Sequence, residues 1–75
     1  PMKELVDAEK ELARLNKELE AANKDREFIE KKLSNESFVS KAPANVVDQQ
    51  RQNLQKVLEK IKNLNDSIAE MEKLK

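Results

Sequence analysis

The chain has no cysteine, histidine, glycine, tryptophan or tyrosine, and only two prolines and two phenylalanines among 75 residues. Each absence removes a class of protein. Without cysteine there is no disulfide framework, and without cysteine or histidine the common zinc sites lose their ligands. General acid–base chemistry at neutral pH most often uses histidine, and nucleophilic catalysis needs an activated side chain beside a base. Carboxylates are plentiful, but a slender helical body offers no desolvated pocket to raise a pKa, so catalysis by this segment is not expected. No acidic run has calcium-loop spacing with its glycine. An excess of one charge is missing too, since 15 Lys and Arg balance 15 Asp and Glu. Overall charge therefore announces neither nucleic acid nor an acidic tail. No apolar stretch approaches the roughly 20 residues of a membrane span, and no signal-peptide hydrophobic region follows the N-terminus. No membrane partner is expected, and the absence of cysteine fits a reducing, cytoplasmic setting. The opening Pro1–Met2 suits a piece of a longer chain.

What is present is Glu, Lys, Leu, Ala, Asn and Gln, with 40% of residues charged. That composition favours long helices over a sandwich, barrel or α/β fold. Leu5, Ala8, Leu12, Leu15, Leu19, Ala22, Arg26, Ile29 and Leu33 follow one another at alternating steps of three and four. This is a heptad seam of about four repeats, broken only by Arg26. A second seam runs through Val47, Gln50, Leu54, Val57, Ile61, Leu64, Ile68 and Met71, with Gln50 as its polar exception. Between them the pattern lapses. Asn35 can take the left-handed cap conformation that glycine would normally supply. Pro43 suits the first turn of a new helix and disfavours helical geometry at Ala42.

The expected fold is all-α, an antiparallel two-helix coiled-coil hairpin with a short irregular tip loop. Helix one is expected over about 3–34, the tip over 35–42 and helix two over 43–74, one arm spanning 1–75. At 1.5 Å per residue each helix would be about 48 Å long. The favoured register sets Leu5 opposite Met71, Leu12 opposite Leu64, Leu15 opposite Ile61 and Arg26 opposite Gln50. It also alternates small with large, Ala8 facing Ile68 and Ala22 facing Leu54. A shift of one heptad would set Arg26 against Val57 and Leu33 against Gln50, two mismatched layers.

Charges of mixed sign flank the first seam and read as a solvated face with intrahelical pairs such as Glu20 with Lys24. Near the tip, Lys31, Lys32, Lys41 and Arg51 share one end of the hairpin and can form a phosphate-binding patch. The excess is slight, with six cations and five anions between residues 24 and 51. Both aromatics lie here. Phe28 is off the seam and Phe38 is in the tip, where a ring can stack on a nucleotide base. Equally, Phe38 with Val39 can close the open end of the core.

The tip carries a specific signature. Lys32-Leu33-Ser34-Asn35-Glu36-Ser37-Phe38-Val39-Ser40-Lys41-Ala42-Pro43, followed by Val46-Val47 and Arg51, resembles the C-terminal coiled-coil arm of valyl-tRNA synthetases. The family's tip reads Lys-Leu-Ser-Asn, two variable residues, Phe-Val, one variable residue, a basic residue and Ala-Pro, then paired aliphatics two positions on. Each fixed position is met, and the likeness covers nearly the whole chain. The family usually has acidic residues after the proline and a base two beyond the arginine; Ala44, Asn45 and Asn53 stand there instead.

The resemblance implies an arm that protrudes from a class I aminoacyl-tRNA synthetase and holds the outer corner of tRNA, where the D and T loops meet. Its partners would be tRNA, valine-specific through the parent enzyme, and the parent's other domains. The parent would ligate valine at the expense of ATP; this segment would need no cofactor. Lys32, Lys41 and Arg51 are the expected phosphate or sugar contacts, with Lys31 and Arg26 beside them, and Phe38 is expected to stack or to shape the tip. Phosphate contacts carry no sequence information, so the arm would recognise shape. Two other readings remain: an oligomerising coiled coil, or a protein-docking hairpin with Phe28, Phe38 and Val39 at its apolar tip. A hairpin would be monomeric.

Overall fold

A computed structural model describes the backbone from residue 2 to residue 74 and the side chains from residue 5 to residue 74. Three helices follow in order: α1 over Met2–Ser34, α2 over Glu36–Lys41 and α3 over Ala44–Glu72. α1 and α3 pack against each other as a helical hairpin. The body measures 58 × 14 × 12 Å with a radius of gyration of 17.0 Å. A globular chain of this length would have a radius near about 11 Å, so the molecule is a rod. No helix among the described residues is long and apolar enough to cross a membrane.

α1 is made of strong helix formers and laced along its surface by pairs three or four residues apart. Arg14 donates to Glu11 at 2.9 Å and lies 3.2 Å from Glu18. Lys24 meets Glu20 at 3.6 Å, and Arg26 meets Glu30 at 2.9 Å. Hydrogen bonding to the Arg14 guanidinium holds the Glu11 carboxyl below its ordinary pKa. Any stability this adds is present above the ordinary carboxylate range and lost as pH falls through the lowered value. All these pairs are solvated and each supports the helix only weakly.

The core is the narrow seam. Ala8, Leu12, Leu15, Ala22 and Ile29 of α1 and Val47 and Leu64 of α3 are buried, and no polar side chain among the described residues is buried with them. Leu15, Ala22 and Leu64 form one cluster, against which Leu19, Ile61, Ile68 and Met71 pack. This places residues 15–22 beside 61–71, whereas the favoured sequence register would put 15–22 beside 54–61. The hairpin therefore adopts the register shifted by one heptad, with Leu19 level with Leu64 and Ala22 level with Ile61. Leu5 agrees: it is 40% exposed, because the shift carries it past the end of α3.

The two mismatched layers that argued against this register are relieved at their edges. Arg26 is half-buried; its stem lies along the seam while its guanidinium reaches out to Glu30. A long cationic side chain can cover apolar surface in this way and keep its charge in water. Gln50 is likewise half-buried, so its amide is not sealed from solvent. The expected Arg26–Gln50 layer does not form.

The tip also differs from the expectation of an irregular loop. α2 is a short helix, and Asn35, expected to be a left-handed stop, has φ −83° and ψ 106°. The reason is local: a helix that begins at Glu36 exposes amides that need acceptors at once. Asn35 Oδ1 accepts from Ser37 N at 3.0 Å and Phe38 N at 3.4 Å, and an N-cap residue takes extended backbone angles. On the α1 side, Ser34 Oγ donates to the Lys31 carbonyl at 3.1 Å. α2 ends at Ala42, extended at φ −73° and ψ 147° as a residue before proline must be. The Pro43 carbonyl then accepts from Val46 N and Val47 N at 3.0 and 3.2 Å, opening α3.

Candidate nucleic-acid interface

The tip residues singled out from the sequence arise from all three helices. Lys31 and Lys32 lie in the last turn of α1, and Lys41 in the last turn of α2. Cations there complement the negative ends of both helix dipoles. Lys31 and Lys41 are exposed and take part in no ion pair among the described residues, so both ammonium groups are available to an anion. Arg51, in the second turn of α3, is exposed and leans on Asp48 at 3.4 Å. So solvated a pair gives way easily to a phosphate. Arg26 is turned instead toward Glu30. Phe38 and Val39 are half-buried in α2, which leaves Phe38 between its two expected roles.

These side chains do not form a single patch. Helical geometry sends Arg51 to one side of Gln50 and Asn53 to the other. Asn53 lines a groove of about 430 Å³ along that second flank, together with Lys32, Phe28 and Lys56. Lys32 and Arg51 thus straddle the hairpin, with Lys41 at its end. The Lys32 ammonium sits 4.5 Å from the centroid of the Phe28 ring, a cation–π contact across one turn of α1. Phe28 itself is 61% exposed.

Sequence reasoning did not place Lys56 in the interface, because it stands a full turn beyond Arg51 in a helix rich in charge. The register alone brings it across from Phe28. What the arrangement can do is bind: cations on a rod, amides at its flank and an exposed aromatic ring with a lysine ammonium over it.

Such a construction is a helical-hairpin arm, charged along its length, with an exposed ring and several cations near its tip. The chain matches the family described as the valyl tRNA synthetase tRNA binding arm over residues 7–72, and it belongs to that family. It is 44% identical over 73 residues to a valine–tRNA ligase of Phocaeicola vulgatus and 42% identical over 73 residues to one of Geobacillus stearothermophilus. Each match covers 97% of this chain and 8% of the relative. A valine–tRNA ligase of Psychrobacter arcticus is 45% identical over 75 residues, the whole chain and 7% of the relative. The chain thus spans about 8% of the length of the curated relatives it matches. No solved structure matches it.

Proposed function

We propose that this chain is the tRNA-holding arm of a larger valine–tRNA ligase, and that its tip meets the outer corner of tRNA where the D and T loops join. The observation that supports this most directly is the family match across residues 7–72, which includes every tip residue considered above. The geometry is compatible with the task. A rod 58 Å long carries Lys31, Lys32 and Lys41 to an end far from the base of the arm, so RNA bound there is held without crowding the rest of the enzyme. Rigidity limits the ordering cost of docking.

In this reading Lys32, Lys41 and Arg51 contact phosphate or sugar, with Lys31 and Arg26 nearby, and Phe38 shapes the tip or stacks on a base. Arg26 must first leave Glu30. The chemistry of ligation, with its ATP, belongs to other parts of the parent enzyme in the cytoplasm, and choice of the valine tRNA comes from there. The arm acts as a monomer.

A comparison of two RNAs tests the site of contact. With isotope-labelled protein, intact tRNA should shift the amide resonances of Ser37–Ala42, whereas an acceptor–T-arm hairpin lacking the D loop should bind more weakly and shift them less. Equal binding of both RNAs would contradict recognition of the corner.

A further inference from the structure

The groove beside the tip is better furnished for a nucleotide than the tip itself. Its α1 wall presents the Phe28 ring, 61% exposed, in a helix whose large aliphatic side chains mostly face the seam. One large exposed apolar side chain is ordinary on a protein surface. Here, however, the ring stands in a concavity of about 430 Å³ whose opposite wall is α3, with Asn53 and Lys56 facing it. The Lys32 ammonium holds a position 4.5 Å from the ring centroid. Gln49 donates its side-chain amide to Asn53 Oδ1 at 3.1 Å, which leaves the Asn53 NH₂ free to donate into the groove. Asp25 is the one anion on the rim, against the two cations Lys32 and Lys56.

We propose that this flank groove takes one unstacked nucleotide of a bound RNA loop, its base stacking on Phe28 as the Lys32 ammonium swings from the ring to a phosphate, with Lys56 meeting the backbone from the opposite wall. The inference rests on the tRNA-binding reading and extends it from the tip to the flank. Single-stranded loop bases are recognised by stacking on aromatic side chains, and flanking cations neutralise the backbone on either side. The Asn53 amide is placed to donate to a base or sugar oxygen, and the Asp25 carboxylate to accept from a base N–H. Lys56 thereby becomes a phosphate contact about three turns further along the arm than the tip, which lengthens the footprint on the RNA.

The test uses this chain and an unmodified tRNA transcript, with helicity checked by circular dichroism. Phe28→Leu should weaken binding about tenfold with the salt dependence unchanged, as loss of base stacking does. Phe28→Trp should restore it. Lys56→Gln should weaken binding and reduce the logarithmic salt slope by about one. Lys41→Ala serves as the tip control. If Lys41→Ala weakens binding while Phe28→Leu and Lys56→Gln bind as wild type, the groove proposal is overturned and the tip reading stands. Failure of the wild-type chain to bind tRNA at low salt overturns both.

Discussion

A single amide side chain, that of Asn35, determines whether the hairpin turns through an ordered tip. It satisfies the first free amides of α2, at Ser37 and Phe38, and those two residues belong to the surface that carries Lys41. Asn35→Ala should cost about 1 kcal/mol of local stability. Hydrogen exchange at Ser37 and Phe38 should accelerate while exchange along α1 and α3 does not; unchanged exchange at both would refute the capping role. Leu15 governs the opposite property. It is 4% exposed in the centre of the seam. A Leu→Ala truncation at such a site costs about 2–5 kcal/mol, and a carboxylate without a partner costs more. So small a core has little stability in reserve, so Leu15→Asp should abolish the helical circular dichroism, whereas Lys41→Ala should leave it intact. Retained helicity in the first, or lost helicity in the second, would undo the division between seam and tip. The residue types at these positions were legible in the sequence, but the conformation of Asn35 was not. Asparagine serves both as a left-handed stop and as an N-cap, and only the start of α2 one residue later decides between them.

Helices were the most legible level. Alternation by three and four marks both long helices, and Pro43 marks the restart. The register was not legible, because heptad seams repeat and every shift by seven keeps apolar residues facing each other. The arithmetic of matched layers favoured the wrong shift for a physical reason. It treated Arg26 and Gln50 as sealed in the core, while each sits at an edge where its polar end escapes. The same shift explains why Lys56 was overlooked, since it faces Phe28 only once α3 slides. The register can be tested by cross-linking, for which the absence of native cysteine is an advantage. Leu19→Cys with Leu64→Cys should oxidise readily to an intramolecular disulfide. Leu12→Cys with Leu64→Cys should not, because one heptad of displacement, about 10 Å along the axis, exceeds the span of a disulfide. The reverse pattern would restore the unshifted pairing.

At the scale of the molecule the described chain is a rod with a packed seam and a solvated surface, and the candidate contacts lie near one end. Its family was readable from the tip motif, since the heptads alone are common to many coiled coils. The division of cations between two flanks was not readable, for it depends on the register. A hairpin that satisfies its own seam has no need of a second copy, so sedimentation should give the mass of one chain over a wide concentration range; a dimer would favour the oligomerising coil. The most direct measurement of the central claim, that this arm binds tRNA through a few phosphate contacts, is a titration of labelled tRNA at several salt concentrations. With three or four contacts, log K should fall against log salt with a slope of about −2 to −4, and Lys32→Ala, Lys41→Ala and Arg51→Ala should each weaken binding at unchanged helicity. Binding that ignores salt, or three variants that bind as wild type, would contradict the account.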